Sequence, residues 1–213
     1  MRKIDLSTVD KINLQLQYDI NVDENSINLF GDESYDMDTN EPGVEYKMAN
    51  KFIRGFRLLE QLNPKKRILI HMKTCGGHWT EGMAIYDTIN NSKNSVTIIS
   101  YTHARSMSSI ILQAADRRVL MPHSYFLYHE GTLALSGNYR TVVSEVLWQS
   151  KCAEQMLEIY AGRIAECRET SGRKDIKEQL QRDMEIKDDV FLTPTNAIAY
   201  GFADEIYDFE IKY

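Results

Sequence analysis

From residue 67 onward the chain alternates short apolar runs with stretches of helical periodicity, and this restricts the folds open to it more than any other feature of the sequence. Residues 67–72, carrying Ile68, Leu69 and Ile70, read as a short buried strand, and Cys75-Gly76-Gly77 follows as a turn. Residues 81–91 place Met83, Ile85, Tyr86 and Ile89 at helical spacing. A strand over 96–101, an apolar helix over 106–115 and strands near 118–121 and 125–129 continue the pattern. Strands that alternate with covering helices fit a mostly parallel sheet of the α/β class.

The flanks are read the same way. In residues 44–62, Val44, Met48, Phe52, Phe56 and Leu59 mark one helix face. Residues 26–31 form a strand ending at a glycine, and the Asp-, Glu-, Asn-, Pro- and Gly-rich residues 32–43 form a loop. The weak alternation around Ile12, Leu14 and Leu16 predicts an N-terminal strand within residues 1–25. A long helix is predicted over 139–168, broken at Ser171-Gly172, with a charged helix over 174–186. Thr193-Pro194 starts a short last helix, Thr as N-cap, and Gly201 closes it. Neither a repeat nor a second domain is evident, so residues 1–213 are read as one domain.

Composition narrows the function. The chain is 43% hydrophobic and 26% charged, as expected of a globular protein with a core, and its formal net charge is -6. The basic runs Lys65-Lys66-Arg67 and Arg117-Arg118 are too short for a phosphate-binding surface, so nucleic acid is not expected as a partner. No run approaches the ~20 apolar residues of a membrane helix, and the start lacks a secretion signal's apolar stretch. Cys75, Cys152 and Cys167 are odd in number and without CxxC spacing, against a disulfide framework or zinc site. A cytoplasmic protein is the expectation.

Chemistry concentrates at turns and strand ends. Acyl transfer at a serine needs the serine, a base, a group that holds the base, and N–H donors for the developing oxyanion. Ser106 stands between a strand and an apolar helix, where the helix N-terminus favours negative charge; an ordinary N-cap is the plainer reading. His129 ends a strand just before Glu130-Gly131 and can point into a cleft. His103 is closer in sequence, but its place in the same turn makes poor geometry for a base. Gly76-Gly77 lets backbone N–H groups approach a ligand. Asp188-Asp189 precedes Val190-Phe191-Leu192, and either carboxylate could serve the histidine. The GxSxG elbow is absent.

Taken together and in order, these segments resemble the Clp proteolytic-subunit (ClpP) family over residues 27–206. Cys75-Gly76-Gly77 with Glu81-Gly82-Met83-Ala84-Ile85-Tyr86-Asp87-Thr88 is similar to the family's Ser-Pro-Gly-Gly turn and the helix after it. Ser106-Met107 leading into an apolar helix with Ala114-Ala115 is similar to its nucleophile block. Pro122, Ser124 and Phe126-Leu127-Tyr128-His129 resemble the segment bearing the base. Asp189-Val190-Phe191-Leu192-Thr193 with Ala197, Tyr200-Gly201-Phe202-Ala203-Asp204 resembles the closing block.

The resemblance implies a ClpP/crotonase-like spiral of β-β-α units with a helical handle in residues 139–187. It implies a serine endopeptidase with Ser106, His129 and Asp189 as triad and the Gly77 and Met107 N–H groups as oxyanion hole. No cofactor or metal is implied. Extended polypeptide would lie as an added strand beside residues 131–137. Homo-oligomeric rings, one heptamer or two, and an AAA+ unfoldase are the partners it implies.

Departures from the pattern motivate a second reading. Cys75 replaces a proline, Arg105 and Ser108 replace small residues, and Glu130-Gly131 replaces Gln-Pro. Residues around 165–187 are extra, and residues 1–25 are unlike the family's axial loop. A catalytically weak assembly subunit of the same fold is the alternative; a crotonase-type acyl-CoA enzyme is a third.

Overall fold

A computed structural model describes residues 6–31, 35, 40–166, 175–211 and 213. The basic start, Cys167 and the predicted break at Ser171-Gly172 lie outside the described residues. In chain order the elements are α1 (Thr8–Tyr18), β1 (Ile20–Asn21), β2 (Ser26–Phe30), α2 (Tyr46–Leu62), β3 (Ile68–Lys73), α3 (Trp79–Asn90), β4 (Val96–Ser100) and β5 (His103–Arg105). They continue with α4 (Met107–Leu112), β6 (Arg117–Leu120), β7 (Tyr125–Tyr128), α5 (Tyr139–Glu166), α6 (Ile176–Lys187), β8 (Val190–Leu192), α7 (Pro194–Tyr200) and β9 (Glu205–Ile206).

Two sheets result. The larger runs β1-β2-β3-β4-β6-β9, antiparallel at β1–β2 and parallel elsewhere. The smaller runs β5-β7-β8, with β5–β7 parallel and β7–β8 antiparallel. This α/β arrangement is the expected one; the second sheet is an addition to it.

Burial explains the order. Ile68, Ile70 and Met72 of β3 are buried in the main core with Ile98 of β4 and Leu120 of β6. Leu69, Ile99 and Val119 alternate with them and form a second apolar cluster with Tyr213. A parallel sheet covered on both faces has this signature of near-continuous apolar strands. Helix α2 buries Met48, Phe52, Phe56 and Leu59 of the face read from the sequence, with Ala49 and Gly55 beside them, while Val44 is buried ahead of the helix. Glu45 caps its first turn, accepting from the Lys47 and Met48 N–H groups at 2.7 and 2.6 Å. The closing block is tied down through Arg118, which is 2% exposed. Its guanidinium donates to Asp204, to the Gln113 side chain and to the Gly201 carbonyl. Thr193 caps α7, and Gly201 ends it at φ 93°.

The N-terminal expectation is corrected: the alternation around Ile12–Leu16 belongs to helix α1, not a strand. A strand needs a neighbour for its backbone groups, whereas a helix satisfies them internally. Ser7 and Asp10 start it with a reciprocal capping box, and Asp19 ends it at φ 58°. None of its residues is buried. The helix expected over 106–115 is shorter: Ser106 is its N-cap, and it ends at Leu112 with Gln113 as C-cap. Helix α5 spans 28 residues. Its buried side chains run from Cys152 at its midpoint through Met156 and Tyr160 to Ile164, while Leu147 and Trp148 are exposed.

Candidate active site

The small sheet brings the candidate residues together by register. Strand β7 pairs with β8 so that Phe126 faces Leu192, Leu127 faces Phe191 and Tyr128 faces Val190. One step further along both strands, His129 meets Asp189. The two are in contact, His129 Nδ1 lying 2.9 Å from Asp189 Oδ1. On the other side of β7, Ala104 is level with Phe126 and Arg105 with Leu127, so Ser106 leaves β5 at the same end of the sheet. Asp188 caps α6 at φ 59°, its N–H donating to the Met184 carbonyl at 2.7 Å. Of the two acidic residues it is therefore Asp189 that faces the histidine.

Ser106 occupies the N-cap position of α4, yet its side chain makes no capping hydrogen bond. Its backbone sits at φ 51° and ψ -131°, a conformation that costs a non-glycine residue about 1–3 kcal/mol and persists only where neighbours enforce it. Gly76 is one such neighbour. A Cβ on Gly76 would stand 2.8 Å from Ser106 Cβ and 2.9 Å from both the Arg105 carbonyl oxygen and the Met107 nitrogen. The turn itself is strapped to residues 42–44: Val44 N–H donates to the Gly76 carbonyl at 2.5 Å, and His78 N–H to the Val44 carbonyl at 2.9 Å. Gly77 lies between these bonds at φ 145°.

Ser106, Met107, Gly77, His129 and Asp189 all line one cleft of about 490 Å³. His129 Nε2 makes no hydrogen bond among the described residues, so Ser106 and His129 share the cleft without being bonded to each other. Catalytic hydrogen bonds often tighten only when substrate is bound. His129 is 21% exposed and Asp189 49%, while the His129 Nε2 atom itself is buried.

Other lining residues carried little sequence signal. Arg105 reaches the cleft and is held by Glu41 at 3.1 Å. Cys152 comes from α5, and burial pushes its thiol up. Tyr35 also lines the cleft, its phenol pushed up by burial and by Cys75. His103, set aside on sequence grounds, is buried beside Glu41 at 3.6 Å and does not line the cleft. Among the described residues no group of three or more His, Cys, Asp or Glu side chains is arranged to hold a metal ion, and no helix is long and apolar enough to cross a membrane.

Comparison with known proteins identifies the family. The family model for Clp protease matches residues 38–210. The chain is 32% identical over 168 residues to the ATP-dependent Clp protease proteolytic subunit of Deinococcus radiodurans, an alignment covering 78% of this chain and 76% of that protein. The chain belongs to the Clp protease family, whose members are serine-type peptidases.

Proposed function

We propose that the chain is a serine endopeptidase acting through Ser106, His129 and Asp189. His129 Nε2 takes the Ser106 proton as Oγ attacks the scissile carbonyl carbon. The Gly77 and Met107 N–H groups receive the oxyanion, and Asp189 steadies the imidazolium. His129 then protonates the departing amine, leaving an acyl-enzyme. Water, deprotonated by the same histidine, attacks the ester and releases the second product. The observation that carries the reading is the 2.9 Å contact of His129 with Asp189 in the cleft that a strained, uncapped Ser106 also lines.

Residues 1–213 act in this reading as one peptidase domain in the cytoplasm. Extended polypeptide lies as an added strand beside residues 131–137, which open from β7 at the cleft. A ring of seven copies, single or doubled, encloses the sites. The exposed Leu147 and Trp148 on the first half of α5 support an assembly surface. An ATP-driven unfoldase partner follows by analogy with the relative, which is described as ATP-dependent.

The test is covalent labelling of the purified protein with a fluorophosphonate, the adduct being located by peptide mass spectrometry. Labelling at Ser106 that is lost in Ser106→Ala and His129→Ala is the expected result. A folded oligomer that stays unlabelled overturns the reading in favour of a catalytically weak assembly subunit. That second reading has one observation on its side, the unbonded His129 Nε2.

A further inference from the structure

The strained backbone of Ser106 is anchored from a distant helix. Its carbonyl oxygen accepts two hydrogen bonds from Ser109, one from the N–H at 3.0 Å and one from the hydroxyl at 2.5 Å. The Ser109 hydroxyl has a single hydrogen, which this bond uses. The hydroxyl of Tyr160, 2.7 Å from Ser109 Oγ, is then the donor to it. Tyr160 and Ser109 are both 0% exposed. The tyrosine ring is edge-on to Phe126, Tyr128 and Phe202, at centroid distances of 6.3, 6.1 and 5.2 Å, so packing fixes where its hydroxyl reaches.

The Ser106 carbonyl and the Met107 N–H belong to one rigid trans peptide and point in opposite directions from it. Rotation about ψ of Ser106 swings both together. A bond that holds the carbonyl therefore aims the N–H. We infer that Tyr160 is a positioning residue: through Ser109 it holds the Ser106–Met107 peptide plane so that the Met107 N–H is directed at the oxyanion. This rests on the proposed roles of Ser106 and Met107. The plainer account is that Ser109 back-bonds within its helix turn and Tyr160 merely satisfies a buried hydroxyl. That account predicts lost stability and unchanged chemistry, which separates the two.

The experiment uses the full chain as purified, with Tyr160→Phe, Ser109→Ala and the double variant. A fluorophosphonate supplies the reaction, and the maximal rate of Ser106 modification is measured separately from the half-saturating concentration. Each single variant is expected to lower the maximal rate about tenfold, the size of one lost hydrogen bond, with half-saturation changed by less than about twofold. The double variant should match Ser109→Ala, since without that hydroxyl Tyr160 has nothing to act through. Unchanged maximal rates with a lowered melting temperature overturn the inference, as does a double variant whose loss is the product of the singles. Should Tyr160→Phe fail to fold, Ser109→Ala decides alone, and an unchanged rate there overturns it. A wild-type protein that labels at Ser106 while the variants behave like it rejects only this inference. A wild-type protein unlabelled at Ser106 rejects the peptidase reading and this inference with it.

Discussion

Asp189→Asn removes one charge and almost no volume from the site, so it isolates the electrostatic part of the proposed mechanism. At the 2.9 Å separation of His129 Nδ1 and Asp189 Oδ1, an imidazolium–carboxylate pair is worth about 1.4 kcal/mol in bulk water and about 6 kcal/mol at an effective dielectric of ~20. The carboxylate is 49% exposed and the histidine 21%, which sets the value toward the lower end. About 2–3 kcal/mol of imidazolium stabilisation corresponds to a factor of about 30–150 in rate. Asparagine can also offer its amide N–H to Nδ1, which favours the wrong tautomer and adds to the loss. The expected result is a drop of about a hundredfold or more in the second-order rate of fluorophosphonate labelling at Ser106. Asp188→Asn is the control, because Asp188 donates its backbone N–H to the Met184 carbonyl, a bond the substitution keeps. Labelling of Asp189→Asn within about threefold of wild type, a span under one kcal/mol, would refute the reasoning, and so would an equal loss in Asp188→Asn.

Three further outcomes follow from the geometry. Gly76→Ala places a Cβ 2.9 Å from the Met107 nitrogen and the Arg105 carbonyl oxygen; displacing this backbone should slow labelling about a hundredfold, read by the same assay. Asp204→Asn leaves the buried Arg118 guanidinium without its anionic partner and should cost about 3 kcal/mol in urea unfolding. Ser7 bonds hold the Asp10 carboxyl below its ordinary 3.8, so Ser7→Ala should return the Asp10 titration, followed by NMR, toward that value. The sign follows from the depressed value: the Asp10 contribution to α1 is present above 3.8 and is lost as pH falls through the lower folded-state value.

The parts of the fold legible in the sequence are those long enough to show a period. The α2 stripe from Met48 to Leu59 and the apolar runs of β3 and β4 have this length, and the capped ends of α7 announce themselves through Thr193, Pro194 and Gly201. Strands β5, β8 and β9 hold three, three and two residues, too few for alternation to register. Helix α1 misled for the opposite reason. Its apolar residues suit an amphipathic strand as well as a helix, and the deciding signal was the Ser7–Asp10 capping box rather than the hydrophobic pattern.

The candidate site inherits this division. Ser106, His129 and the Gly76-Gly77 turn could be picked out because each ends or follows a strand, a local property. Choosing between Asp188 and Asp189 could not be local. It depends on β8 pairing antiparallel with β7 in a register that sets Tyr128 against Val190, which is a fact about two short strands 62 residues apart (128 to 190). The Tyr160–Ser109 bond is further still from any pattern: it spans 51 residues, and no local signal links the two. The small β5-β7-β8 sheet is thus the least visible element in the sequence and the one that collects the chemistry. Its strands need no length of their own, because Phe126 and Tyr128 are held from behind by Tyr160 and Phe202. What the short strands must supply is register, and a one-residue slip of β8 would put Asp188 or Val190 beside His129 and leave the histidine with the wrong neighbour.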